Sequence, residues 1–198
     1  MASNVEESIK AAFRELVSET PIEKITVSQI CERAGIARKT FYVYFGTRDD
    51  VLKAIIKEDI CDPTENLFPL FSGSNPEISS PFLLERFYQG IYAHQDFYAK
   101  LAERSHSHTF VSMLQRCMYE LNEALFAGRN VGTMPDKYRY ATRFVVAGQA
   151  SITLQWIRDG FRLTPAKMAS YFYEWGMPAI WVVGNPENAG ATVAYSLK

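Results

Sequence analysis

Residues 26–52 read TVSQICERAGIARKTFYVYFGTRDDVL, and within that stretch lie two helix starts, one helix stop and two short apolar stripes. Thr26 and Gln29 have the spacing of a capping box, in which a hydroxyl accepts from the third helical amide while the glutamine side chain reaches back to the cap amide. The helix that follows buries Val27, Ile30 and Cys31 and stops at Gly35, the residue type that most readily takes the left-handed conformation of a helix exit. A new apolar stripe starts at Ile36 and continues through Phe41 and Phe45 on a short third helix. Thr47, followed by Asp49 and Asp50, opens a fourth helix through Val51, Leu52, Ile55 and Ile56, because a hydroxyl cap and carboxylates both suit the positive end of a helix dipole. The pattern is helix, turn, helix in tight succession.

Upstream, Val5, Ile9, Ala12, Phe13, Leu16 and Val17 recur at helical spacing, which predicts a helix over 3–19 that Pro21 ends. Downstream the texture changes beyond Pro63. A short apolar segment at 67–71 leads into Ser72-Gly73-Ser74-Asn75-Pro76, dense in turn residues and the stretch expected to be most mobile. Helical patterns then return at 81–94, 96–105, 107–126, 136–161 and 165–183, with Gly and Pro at the joins. Strand alternation is scarce and there is no internal repeat, so the fold class is all-α. The stretch after Gly184 is expected to fray.

Composition narrows the function. With 198 residues, 47% of them hydrophobic, the chain has ample material for a core. Its 21 basic and 22 acidic residues leave a net charge of −1, which excludes a polybasic tail or a solvating acidic chain. Cys31, Cys61 and Cys117 are odd in number and scattered, so neither a disulfide framework nor a zinc cluster is expected, and a reducing cytoplasm is the natural setting. Glu6 and Glu7 stand where a leader would carry a basic region, and no segment approaches the roughly 20 apolar residues of a membrane span. Neither export nor a membrane partner is expected. His106 and His108 flank Ser107, but residues two apart on a helix point in different directions, and no Cys or carboxylate lies around them at zinc-like spacing. No metal is expected. The chain carries no glycine-rich phosphate loop, GxSxG, HExxH or dinucleotide fingerprint, so neither an enzyme nor a cofactor is indicated.

Taken in register, residues 26–52 resemble the DNA-binding domain of the TetR family of transcriptional regulators. The resemblance is carried by Thr26, Ile30, Ala34, Gly35, Ile36, Thr40, Phe41, Tyr42, Tyr44, Phe45, Asp50 and Leu52. The chain departs from the family pattern at Ala37, where a Ser cap is common, at Lys39, often Gly or Pro, and at Arg48, usually Lys. The resemblance implies an N-terminal three-helix helix-turn-helix DNA-binding domain at 1–48, a larger helical ligand-binding and dimerisation domain at 49–184, and a C-terminal tail at 185–198. A recognition helix must bury one face while offering polar and basic groups to a major groove about 12 Å wide. Ile36, Phe41 and Phe45 supply the buried face. Arg38 and Lys39 stand at the exposed start, where Arg38 is the foremost candidate for guanine O6 and N7, and Thr40 suits a thymine methyl or a phosphate. Tyr42 and Tyr44 carry hydroxyls for phosphate oxygens, while Ser28 and Arg48 place donors at helix starts. The plainer alternative is a solvated charged face with half-buried rings. Glu6, Glu7, Glu15 and Glu19 on the first helix add to it, since they give no global pull on DNA. A local patch of Lys24, Arg38, Lys39 and Arg48 answers that objection.

In relatives of this kind the larger part holds a ligand pocket and a dimer interface. Here the surroundings of Phe97 and Tyr98, and the run from Gly148 through Gly160 to Ala169, resemble the regulators related to dihydroxyacetone kinase control. Phe97, Tyr98, Phe110, Met113, Leu114, Cys117, Met118, Phe144 and Trp156 form the candidate ligand-lining set, with plain core packing as the competing reading. Gly148, Ser151, Tyr171, Phe172, Trp175 and Trp181 are the candidates for the dimer interface. The implied partners are double-stranded operator DNA, a second copy of the chain and an unidentified small-molecule effector. The competing function is a TetR-like adaptor that works through a protein partner.

Overall fold

The computed structural model describes residues 2–67, 76–104, 107–127 and 136–184, and every regular element among them is helical. Helix α1 (Ala2–Glu19) buries Ile9, Ala12, Phe13, Leu16 and Val17, the stripe its periodicity predicts. A single 3-10 turn, Ile22–Lys24, then leads to α2 (Val27–Ala34). Both halves of the Thr26/Gln29 capping box form, and Gly35 ends the helix at φ +67°. Helix α3 (Arg38–Tyr44) follows at once. Helix α4 (Arg48–Ile56) opens on a second capping box, between Thr47 and Asp50.

Beyond Ile56 the helix does not stop. It continues as a π-helical turn, Lys57–Cys61, and then as α5 (Asp62–Glu65), with Ile56, Lys57, Cys61 and Asp62 all right-handed. Pro63 therefore sits inside a helical run instead of closing one. It carries no N–H to offer the carbonyl of Asp59 four residues earlier. That carbonyl faces Gly90 of α6 (Pro76–Ala93), where a Cβ would lie 2.2 Å from the oxygen, so glycine lets the two backbones touch.

Asp59 is also where the N-terminal helices are fastened to the rest. It is buried, accepts from Arg14 Nη2 of α1 at 2.7 Å and from the Tyr98 hydroxyl of α7 (Gln95–Arg104) at 2.9 Å, and has His94 Nε2 at 3.3 Å. A buried carboxylate is tolerable only with partners of this kind. Burial first, and then the Asp59 charge, push the Tyr98 hydroxyl well above its ordinary range. The Arg14 guanidinium also lies over the Phe97 ring, 4.8 Å from its centre.

The remaining helices are α8 (Ser107–Ala127), α9 (Asp136–Arg158) and α10 (Pro165–Gly184), with α10 packed on α6 and α9, and α8 on α9. One apolar core runs from Ile9 and Phe13 through Ile55 and Ile60 to Tyr88, Tyr98, Phe110 and Trp156. Among the described residues no helix is long and apolar enough to cross a membrane.

Three expectations need correcting. Helix α6 begins at Pro76, not at 81: both prolines suit a helix start, and the earlier one takes the first position while Pro81 is carried inside. Helix α9 ends at Arg158, not at 161, because Gly160 (φ +73°) and Phe161 (φ +57°) turn left-handed and the Phe161 amide donates back to the Trp156 carbonyl. The Phe161 ring, packed 4.9 Å from Trp156 and 5.8 Å from Tyr92, holds that unfavourable backbone in place. Finally, Cys61 and Cys117 are joined in a disulfide across 56 residues of sequence, because the π-helical turn packs on α8 and brings their Cα atoms to 6.5 Å. Of the segment expected to be mobile only Pro76 is described, and of the apolar run before it only Leu67; the tail after Gly184 lies outside the described residues.

Candidate nucleic-acid interface

Helix α3 is aimed by what it buries. Phe41 is fully enclosed, Phe45 nearly so, and Ile36 packs against the same core. That anchoring turns Arg38, Lys39, Tyr42 and Val43 outward, with Tyr42 51% and Val43 74% exposed. The Tyr42 ring stands edge-on to Phe41, 5.5 Å between centres, and its hydroxyl accepts from Arg38 Nη2 at 3.4 Å. A basic group and a phenol one turn apart are thus held side by side on the open face. Thr40 and Tyr44 are half-buried at its edges, and Ser28 is exposed one residue into α2.

Val43 is absent from the candidates drawn from the sequence. Its signal was present nonetheless: it lies four residues after Lys39 and two after Phe41, so the burial of Phe41 already points it away from the core. An exposed β-branched methyl pair on a reading helix is suited to a thymine methyl. Arg48 departs the other way. Its Nη1 donates to the carbonyls of Ile22 at 2.6 Å and Ile25 at 3.0 Å, and its Nε to Asp49 at 3.1 Å. Those donors clamp α4 onto the 3-10 turn and the residue after it, so the Nη1 and Nε of Arg48 are engaged within the protein.

The acidic residues of α1 are largely answered within the protein. Arg33 of α2 holds Glu15 and Glu19, and its hydrogen bond keeps the Glu19 carboxyl below the usual carboxylate range. Lys10 holds Glu6, Glu7 and Glu58. Cys31 is buried on α2, and burial pushes its thiol up against a smaller opposing effect of the Arg38 charge, the environment of an inert packing residue.

In the larger part the described members of the candidate ligand set are mostly packed side chains. Tyr98, Phe110, Leu114, Cys117, Met118 and Trp156 are buried members of the core, with Phe97 and Met113 packed against it. Trp156 spends its indole N–H on the Leu163 carbonyl, and Cys117 is in the disulfide. Met113 and Cys117 also line a cleft of about 350 Å³ between the α4 to α5 run and α8. Phe144 is 75% exposed on α9, so it faces away from any interior cavity. It shares a face instead with Tyr140, Gly148 and Ser151, all exposed at helical spacing. Of the interface candidates on α10, Trp175 is 65% exposed and stacks on Tyr171, whereas Phe172 is buried inside the protomer. The side chain of Trp181 lies outside the described residues, as do His106 and the side chain of His108.

Residues 9–55 match the family described as "Bacterial regulatory proteins, tetR family", and residues 81–175 match a "Transcriptional regulator C-terminal region". The chain belongs to the TetR family. Both matches describe regulators of transcription, not enzymes. The HTH-type transcriptional regulator YxbF of Bacillus subtilis (strain 168) is 20% identical over 181 residues, 88% of this chain but 45% of that protein. The chain thus spans less than half the length of that relative. Among solved structures, NalD, "the secondary repressor of MexAB-OprM multidrug efflux pump in Pseudomonas aeruginosa", superposes with a TM-score of 0.60 at 19% identity, covering 90% of this chain and 98% of NalD. The "Dihydroxyacetone kinase operon activator DhaS" superposes with a TM-score of 0.56 at 20% identity, covering 90% and 97%. At these identities the likeness is one of fold. It carries the TetR architecture across nearly the whole chain and leaves the ligand and the sign of regulation to other arguments.

Proposed function

We propose that this TetR-family protein is a homodimeric repressor that reads a palindromic operator through α3 and releases it when a small molecule binds the larger part. The observation that carries the reading is the divided face of α3, with Phe41 enclosed while Arg38, Lys39, Tyr42 and Val43 stand open. Arg38 reads a base edge, Lys39 and Tyr42 engage the backbone or a neighbouring base, and Ser28, Thr40 and Tyr44 fix the register. One such helix covers only a few base pairs, so two copies placed about one DNA turn apart supply the specificity. The open face of α9 supports that second copy: Phe144 and Tyr140 are exposed beside Gly148, whose missing Cβ would meet nothing within 4 Å in the protomer. Repression is taken as the sign because occupancy of an operator alone blocks access, with no second surface required. The effector acts only through its different affinity for the two spacings of the reading helices.

Selection of random duplex DNA on the purified full chain, at two salt concentrations, tests this. The expected result is a palindrome with half-sites about one helical turn apart, its affinity falling steeply with salt as counterions are released. A folded dimer that enriches no sequence overturns the reading in favour of an adaptor acting on proteins.

A further inference from the structure

We infer that Cys61 and Cys117 form a reversible dithiol/disulfide site that small oxidants reach through the α4–α8 cleft, and whose closure ties the DNA-binding head to the larger part. The consequence for DNA rests on the function proposed above; the chemistry of the pair does not. The two cysteines lie on different elements, one on the π-helical turn that prolongs α4 and the other on α8. Their Cα separation of 6.5 Å falls within the range of about 4.4–6.8 Å that bridged pairs adopt. Both are almost wholly buried, yet both line the cleft of about 350 Å³, together with Lys57, Met113, Arg116 and Leu121. The cleft therefore gives a peroxide or a small thiol a route to the pair, whereas a protein-sized reductant meets two enclosed cysteines. Cys31, the remaining cysteine, is buried in the head with its thiol pushed up by burial, so the oxidation is confined to the pair.

The step balances with hydrogen peroxide as oxidant. One thiolate attacks a peroxide oxygen, the O–O bond breaks, and a sulfenic acid and a first water result. The second thiolate attacks that sulfur, the S–S bond forms, and the hydroxyl leaves as a second water. The two sulfurs give up two electrons, the peroxide oxygens accept them, and both thiol protons leave in the waters. A small dithiol reverses the change. The place of the bond gives it leverage. Helix α4 starts at Arg48, which grips the 3-10 turn of the head, and Cys61 lies at the far end of the same continuous helical run. Closing the bond fixes that far end to α8; opening it leaves the run held to α8 by packing and by the exposed Lys53–Glu120 ion pair. A protein that binds DNA inside a cell also meets a reducing thiol pool, where disulfides that do form are transient or redox-sensing.

The full chain, reduced with dithiothreitol and then exposed to hydrogen peroxide, provides the test. Alkylation after denaturation should count all 3 cysteines in the reduced form and only Cys31 in the oxidised form. Amide hydrogen exchange over 48–61 should slow on oxidation, and affinity for the selected duplex should change by at least about fivefold, the low end of ordinary coupling between sites. Cys61→Ser and Cys117→Ser should abolish both responses, and Cys31→Ala should keep them. Peroxide that leaves all thiols alkylatable in folded protein overturns the site. A bond that forms without altering exchange or affinity overturns the regulatory role. If neither redox form binds DNA, the function proposed above fails, and the alkylation and exchange results still decide this inference.

Discussion

Arg38 and Arg48 are ten positions apart in the same short head, and their surroundings give them opposite work. Arg38 is exposed and, among the described residues, is bonded to the Tyr42 hydroxyl, which leaves most of its guanidinium open to a base edge. Arg38→Ala should cost about 1–3 kcal/mol of operator binding per half-site and relax preference at one base, with thermal stability unchanged. Titration of the variant against the selected operator and its single-base mismatches checks this, and an identical mismatch profile would refute the assignment. Arg48 donates to the backbone carbonyls of Ile22 in the 3-10 turn and of Ile25 just after it, and removing it takes a charged donor from both. Arg48→Ala should therefore lower folding stability by about 1–3 kcal/mol in urea denaturation. Its salt dependence of DNA binding should stay that of the parent, whereas loss of a phosphate contact would reduce the slope by about one. The intramolecular bonds of Arg48 were not legible in the sequence because its partners lie 26 and 23 residues away, and a contact that distant has no local signature.

At the scale of elements, the crossing of α6 over the π-helical turn is the tightest backbone approach at any described glycine. Gly90→Ala places a Cβ 2.2 Å from the Asp59 carbonyl oxygen and 3.2 Å from two further backbone atoms, none of which is the end of a flexible side chain. Helix propensity alone would favour alanine by about 1 kcal/mol, so the two effects have opposite signs. The clash should win, with a net loss of about 1–3 kcal/mol in urea denaturation. A gain in stability would mean that α6 does not rest on that turn. What could be read from sequence divides along the same line. The capping box at Thr26, the hydroxyl cap at Thr47 and the left-handed stop at Gly35 depend on residues within one turn, and they were legible. So were the long helices, whose apolar period repeats over several turns. The π-helical turn, the helix running through Pro63 and the bond between Cys61 and Cys117 depend on α6 and α8 arriving from elsewhere. Nothing in residues 57–63 announces them.

For the whole molecule the decisive surface is the open face of α9. Soluble monomers carry scattered exposed apolar residues without consequence, but Tyr140 and Phe144 lie one turn apart and continue into Gly148 and Ser151. The core that holds the protomer together runs along the other side of the same helix, through Val145, Val146, Ala150 and Trp156. The two faces can therefore be changed separately. Phe144→Glu should leave helical content and urea midpoint near those of the parent, since an exposed position away from special contacts usually shifts stability by no more than about 0.5 kcal/mol. It should nevertheless convert the proposed dimer to monomer in sedimentation, because a carboxylate in the two-fold interface proposed for this face would meet its own copy. Separated heads then bind half-sites independently and forfeit the local concentration that a joined pair enjoys, a factor of about 10²–10⁴ in affinity. A variant that stays dimeric would place the interface on another face. One that turns monomeric yet keeps full operator affinity would show that a single head suffices, and the link between the spacing of two α3 helices and effector control would have no physical basis.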